Sequence, residues 1–268
     1  QFDHILMIVF ENQNYTQVIG KSDLPTFNRL AAENTLLTNY HAVAHPSLPN
    51  YLALIGGDTF GVTSDCTGCF INQPSLPDLI ESSGRSWKTY QEDLPSPCFT
   101  GNAGNYAQKH DPFIYFDPIR TNQKRCERSV VPLQTLDADL AENQLPNFAF
   151  IMPNLCDSGH DCSLTTGDQW LNRMMNKLQE SPALGQRWLI FIVFDEASGD
   201  NSSCCGLPSQ AGGRVAAMLV SPQAKKGFQD NTPLSHYSFL KTVLISWRLS
   251  GLGFTSNPQT QAITAPWK

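Results

Sequence analysis

At 268 residues, with 41% hydrophobic and 16% charged residues, the chain is long enough for one large core or two small ones and too apolar to be disordered. Its net charge of -6 gives no overall electrostatic pull toward nucleic acid or an anionic membrane surface. No apolar run approaches the roughly 20 residues of a membrane span, which argues against stable membrane insertion.

Residues 5–10 form a continuous apolar run, the pattern of a strand buried on both faces of a parallel sheet, and it ends at Glu11-Asn12. A short helical pattern covers 27–33 and a strand pattern 35–41. Next comes His45-Pro-Ser-Leu-Pro-Asn50, with an apolar helical run behind it as far as Gly57. Ser47 at that helix start falls where free N–H groups and the helix dipole favour an anion, although alone it reads as a capping serine. Residues 76–82 predict a helix stopped at Gly84, and 86–90 a strand leading to Glu92-Asp93. Residues 94–132 are irregular, rich in Pro, Gly, Asn and aromatics, and contain Lys109-His-Asp-Pro112; a loop of this length reads as functional or as a cap over a site.

A helix is predicted at 135–142. A buried strand at 147–152 runs into a polar stretch at 153–162. The amphipathic helix at 168–179 carries Trp170, Leu171, Met174, Met175 and Leu178 on its apolar side. The strongest strand, 188–194, ends in Asp195-Glu196, and a further strand at 215–220 stops at Pro222. A long helix at 234–247 has His236 in its first turn, and the tail from 251 is coil-like. Strands alternate with helices and no repeat or linker interrupts them. The expectation is an α/β fold, a single domain over 1–268, with a mainly parallel central sheet and helices on both faces.

Acidic or amide residues follow four of the predicted strands, at Glu11-Asn12, Glu92-Asp93, 154–161 and Asp195-Glu196. In open parallel sheets ligands bind outside the carboxyl ends of the strands, and carboxylates gathered there would repel one another unless a cation neutralised them. Glu11, Asn12, Asp195, Glu196 and the Ser47 hydroxyl offer only oxygen, a donor set that suits Mg, Ca or Mn better than Zn. Such a metal would turn Ser47 into a nucleophile for phosphorus. Asp157, His160 and Asp161 could serve a second metal, or hold His160 as proton donor to a leaving oxygen. His45, His110 and His236 are uncertain singly.

The eight cysteines suggest disulfides and an oxidising compartment, and Cys66 and Cys69 form the one C-x2-C pair, which fits zinc badly. Their pairing is not deducible; Cys156 and Cys162 could staple their loop to each other or elsewhere. A start at Gln1 reads as a processed mature chain, and the sequons Asn14-Tyr-Thr16 and Asn201-Ser-Ser203 agree with a secreted glycoprotein.

Phe10-Glu-Asn12, His45-Pro-Ser-Leu-Pro-Asn50, Lys109-His-Asp-Pro112, Pro153-Asn-Leu-x-x-x-x-His-Asp161, Phe194-Asp-Glu196 and Ser235-His-Tyr-Ser-Phe-Leu-Lys-Thr242 occur in that order. Together they resemble the phosphoesterase family of secreted acid phosphatases and phospholipase C-type enzymes, in the alkaline phosphatase superfamily. The resemblance implies an alkaline phosphatase-like fold and a small phosphorylated substrate. It implies Ser47 as the phosphorylated nucleophile, with Asn50 supporting a phosphate oxygen. It implies Glu11, Asn12, Asp195 and Glu196 as ligands of the metal beside it. Asp157, His160, Asp161 and His236 match the second metal of two-metal relatives; in one-metal acid phosphatases histidines, His110 among them, contact phosphate or protonate the leaving group. The short chain shows no sequence for an extra C-terminal lipid-binding domain. That favours a phosphomonoesterase over the runner-up, a phosphodiesterase or phospholipase C acting on polar headgroups. A Ser-His-Asp esterase lacks its G-x-S-x-G elbow here, and a non-catalytic relative would have lost a ligand or the nucleophile.

Overall fold

The computed structural model describes residues 2–268. Its strands in chain order are β1 (His4–Phe10), β2 (Thr35–Leu37), β3 (Tyr40–His41), β4 (Trp87–Gln91), β5 (Val130–Pro132), β6 (Phe148–Met152), β7 (Trp188–Phe194), β8 (Ala217–Val220), β9 (Phe228–Asp230) and β10 (Leu234–Ser235). Its helices are α1 (Tyr15–Val18), α2 (Pro25–Glu33), α3 (Ser47–Gly56), α4 (Leu76–Ser82), α5 (Asp117–Arg120), α6 (Gln123–Ser129), α7 (Thr135–Ala141), α8 (Leu164–Glu180) and α9 (His236–Trp247).

Eight strands make one sheet in the order β5-β4-β6-β1-β7-β8-β2-β9. The two longest strands, β1 and β7, are neighbours in parallel register from His4 opposite Trp188 to Phe10 opposite Phe194. Their continuous hydrophobic composition fits, because both faces are covered. Phe194 packs on Phe27 of α2 at 5.5 Å, and Phe191, three residues earlier, stacks on Phe239 of α9 at 3.8 Å. An odd separation along a strand points side chains to opposite faces, so α2 and α9 cover opposite sides of the sheet.

The expected mixed α/β single domain with a mainly parallel sheet is present, with four differences. The strand pattern at 35–41 breaks at Thr38 and Asn39. Thr38 bonds the carbonyl of Asp230, and β3 leaves the sheet to pair with β10. Second, β8 runs antiparallel to both β7 and β2. Third, 94–132 is not an open loop. It holds α5, α6 and the edge strand β5, which is parallel to β4. Phe113, Ile114, Tyr115 and Phe116 are fully buried, with Phe113 stacked on Trp87 at 5.1 Å. Turn-forming residues hid an apolar core segment from periodicity, because its turns are short 3₁₀ pieces. Also, α8 begins at Leu164, four residues before the predicted start, with Ser163 capping it by accepting from the Thr165 N–H.

The eight cysteines pair as Cys66–Cys69, Cys98–Cys126, Cys156–Cys162 and Cys204–Cys205. Cys98–Cys126 ties the 94–132 segment to itself, and Cys156–Cys162 closes its own loop.

Under the 94–132 segment lies Asp111, fully buried. Its Oδ2 accepts from the Tyr106 hydroxyl at 3.3 Å and its Oδ1 has no partner. Burial pushes this carboxyl from an ordinary 3.8 up to about 7. An acid with a raised native pKa holds its proton more tightly in the fold. Its stabilising effect is therefore fullest below pH 4 and falls as pH rises toward 7. Asp111→Asn should consequently gain on the wild type as pH rises from 4 to 8, by at most roughly 2–4 kcal/mol. Thermal melts across that range check this; parallel Tm-versus-pH curves for the two proteins would contradict it.

Candidate active site

Because β1 and β7 are adjacent and parallel, their carboxyl ends deliver Glu11 and Asp195-Glu196 to one place. The Asp195 N–H donates to the carbonyl of Phe10, extending the ladder past the last paired residue. Asn12 then turns the chain with φ 56 and donates its N–H to Asp195 Oδ1 at 2.9 Å. A small positive φ is tolerated best by glycine, asparagine and aspartate, which accounts for an amide here. The Asn12 side chain reaches only Glu11 Oε2, at 3.4 Å.

Ser47 is the first residue of α3, and Pro46 occupies the capping position. The hydroxyl is thus free of the capping role that the isolated motif suggested. It donates toward Glu11 Oε2 at 3.1 Å and toward Glu196 Oε1 at 3.2 Å. All ten residues of α3 are buried. Asp65 takes the Leu48 N–H at 3.0 Å, so one donor of the helix terminus is held by the protein's own carboxylate.

Asn50 does not face this hydroxyl. Its Oδ1 accepts from the N–H groups of Val43 and Ala44, and its Nδ2 donates to the carbonyls of Ala44 and Pro46. Fully buried and committed on every side, it clamps the 43–46 loop and has nothing left for a phosphate oxygen. The substrate role expected for Asn50 is corrected accordingly.

Tyr51 lies four residues after Ser47 on the same helix face. Its hydroxyl donates to Glu11 Oε1, and its ring stacks on His110 at 5.4 Å. His110 Nε2 is 3.3 Å from Glu11 Oε2. Burial alone would raise the Glu11 carboxyl, but His110 and Tyr51, with Lys109 nearby, outweigh it and lower it. Asp195 is pushed well up by burial and by the charges of Glu11 and Glu196. Burial also raises Glu196, against the opposing effect of His45. His45 Nδ1 meets Glu196 Oε2 and its Nε2 is 3.0 Å from the carbonyl of Asp200. His45, uncertain from the motif alone, is placed on Glu196, and Tyr51 is the contributor that motif reading does not name; the i, i+4 spacing from Ser47 is the available signal for it.

The four residues matched to a second metal are not gathered. His236 is fully buried at the start of α9, 2.6 Å from the Asp195 carbonyl and 3.3 Å from the Tyr40 hydroxyl. Burial lowers it to about 4, against the hydrogen bond to Asp195, so the ring is neutral at pH 7 and braces the end of β7. Asp157 lies against Glu92, which also accepts from Trp170 and from the Asn154 N–H. Two strand spacings separate β4 from β1, which keeps this acidic pair apart from Glu11. His160 pairs with Asp161 at 2.6 Å and lies 3.2 Å from Lys109 Nζ. His160 approaches the Ser47 group with its ring 5.8 Å from that of His110, and His236 meets it at the Asp195 backbone.

Among the described residues no three His, Cys, Asp or Glu side chains already surround a single point in metal-ligating geometry. The donor chemistry nevertheless fits a hard cation. Asp195 Oδ2 is buried without a partner, Glu11 and Glu196 share the Ser47 hydroxyl, and no lysine or arginine is bonded to any of the three carboxylates among the described residues.

Removing the Asn50 amide would leave the buried Val43 N–H and the part-buried Ala44 N–H unpaired. Asn50→Ala should cost about 2–4 kcal/mol. Urea unfolding measures it, and an unchanged midpoint would show that the clamp does not hold the loop.

The sequence profile of the Phosphoesterase family matches residues 9–250. The chain is 33% identical to an acid phosphatase of Aspergillus fumigatus, over 94% of this chain and 56% of that protein. It is 30% identical to a phosphatidylinositol-3-phosphatase of Mycobacterium tuberculosis, over 96% of this chain and 80% of that one. It spans 56–60% of the length of three acid phosphatases that it matches at 33% identity. A solved alkaline phosphatase superfamily protein of Vibrio parahaemolyticus superposes with a TM-score of 0.64 at 10% identity, covering 100% of this chain and 71% of that one, a likeness of fold. Matched by its profile from the end of β1 to beyond α9, the chain belongs to the Phosphoesterase family.

Proposed function

We propose that the protein is a metal-dependent phosphoric ester hydrolase, an acid phosphatase-like phosphomonoesterase working through a phosphoserine at Ser47. The observation that carries this reading is the Ser47 hydroxyl, at the start of a buried helix, 3.1 Å from Glu11 and 3.2 Å from Glu196. The acid phosphatase and phosphatidylinositol-3-phosphatase relatives support the substrate class.

In this reading Glu11, Asn12, Asp195, Glu196 and Ser47 would hold a divalent cation, with Mg, Ca or Mn favoured. Bound there, it would neutralise the carboxylates and favour the ionised hydroxyl. The chain's own residues do the rest. Glu11 and Glu196 hold the Ser47 hydroxyl in one direction. Its Oγ attacks phosphorus in line, the P–O bond to the alcohol breaks, and the leaving oxygen takes a proton from water or from His160. Water then cleaves the phosphoserine and releases phosphate. Tyr51 and His110 fix Glu11. Positioning and charge neutralisation supply most of the rate. Lys109 and His160 line a polar cavity of about 360 Å³ and are suited to face phosphoryl oxygens. The same reading takes the chain as secreted: four disulfides favour an oxidising compartment, and Asn201 of the second sequon is exposed.

Ser47→Ala should reduce p-nitrophenyl phosphate hydrolysis by about 10³-fold or more with an unchanged melting curve. Acid-quenched wild-type protein should carry phosphate on the Ser47 peptide. Full turnover by the variant would remove Ser47 as nucleophile. Asp195→Asn should weaken binding of Mn, titrated into metal-free protein, by at least about tenfold. Equal Mn affinity in variant and wild type would remove Asp195 from the ligand set.

A further inference from the structure

A second cavity, of about 310 Å³, adjoins the Ser47 group at His45, and its wall mixes apolar side chains with Thr59, Thr63, Gln210, Asn257 and Thr260. Its walls come from the loops on either side of α3, the loop after Cys205, Tyr237 and Phe254. Val43, Ala53 and Tyr237 form a small apolar cluster separate from the main core, with Ala44 and Leu207 packed against it. Tyr237 is 5% exposed and stacks on Phe254 at 5.1 Å and 23°, while Phe254 is 43% exposed at the rim. Among the described residues lining the cavity there is no lysine or arginine, and Asp58 is its carboxylate. Beyond His45, already paired with Glu196, a phosphoryl group would meet no basic side chain here and one like charge, whereas an uncharged apolar group would meet two aromatic rings and a leucine.

The cavity is also coupled to the hydroxyl. His45 lines it with a side chain one-third exposed, and touches Glu196, whose other oxygen accepts from Ser47. At the far end of α3, the Phe254 N–H donates to the Gly57 carbonyl at 2.7 Å. Gly57 has φ 77, and a side chain there would run into the backbone of Leu252. One helix therefore carries Ser47 at its start and seats the cavity's rim at its end.

We infer that this cavity is the leaving-group subsite: it takes the uncharged aromatic or apolar alcohol portion of a phosphate monoester whose phosphorus lies at Ser47. The inference rests on the phosphoesterase reading above. Transfer of the phosphoryl group to Ser47 Oγ forms the new P–O bond and breaks the one to the alcohol; the Ser47 proton passes to water, the alcohol oxygen takes a proton from water, and the cavity then holds the neutral alcohol.

Ethyl phosphate and 2-phenylethyl phosphate have leaving alcohols of similar acidity and differ in a ring. The metal-loaded protein should favour the phenylethyl ester in kcat/KM by about tenfold or more, the gain expected from burying a ring. Phe254→Ala should bring the ratio to within about threefold of one. Phe70→Ala, which removes another exposed aromatic outside both cavities, should leave the ratio as in wild type. A wild-type ratio near one, or a ratio untouched by Phe254→Ala, overturns the subsite. Saturation-transfer NMR of 2-phenylethanol with Ser47→Ala protein reads the same pocket without turnover, and binding should be lost when Phe254→Ala is added. If neither ester is hydrolysed, p-nitrophenyl phosphate turnover decides the phosphoesterase reading and the NMR experiment decides the subsite: binding that depends on Phe254 retains the alcohol pocket, and no binding overturns it.

Discussion

Mutual repulsion among three buried carboxylates is the constraint on which the site depends. Glu11, Asp195 and Glu196 are held together by the parallel register of β1 and β7, so the chain cannot separate them without breaking its longest strand pair. What relieves the repulsion is distributed. His110 and Tyr51 stabilise charge on Glu11, His45 does so on Glu196, and Asp195 responds by holding its proton more tightly. One carboxylate is thus favoured as an anion while its neighbour is driven toward the neutral acid, the usual outcome when acids share a dry site. A bound cation would reverse the second effect.

Helix α3 is the other half of the arrangement. Buried along its whole length, it can neither slide nor turn without disturbing the core. Asn50 fixes the incoming loop and Tyr51 reaches Glu11 from one turn below Ser47. His236, neutral and buried, secures the backbone at Asp195 from the opposite helix. The hydroxyl is therefore defined from three directions by groups that are themselves immobile, which is what positioning a weak nucleophile requires.

Much of this was legible in the sequence, and the remainder fails for identifiable reasons. Apolar runs at β1, β6 and β7 read directly as buried parallel strands, and the polar residues after them read as one edge of a sheet. Segments of two or three residues, such as β3, β9 and β10, carry too little pattern to be seen. The 94–132 segment was misread because its aromatic core residues sit between turn formers. At the site, residue types were a good guide to location and a poorer one to role. Asn50 and His236 belong to motifs that surround the site, yet both are spent on backbone groups. Asp157 follows a strand at the same edge, but the strand order carries it toward Glu92. Only the order of strands across the sheet, which no local pattern encodes, separates the acids that meet from those that do not.

The margins of the sheet carry a different consequence. Its long hydrophobic strands are central, while the outermost strands, β5 and β9, are three residues each. Pro132 ends β5 and lacks an N–H, and β9 ends in Asp230, whose backbone carbonyl already accepts from Thr38. A second chain adding itself to either border would gain few hydrogen bonds and no continuous apolar face. A sheet rich in self-associating sequence is in this way kept from polymerising, with its stickiest segments confined where another copy reaches them only after the fold has opened.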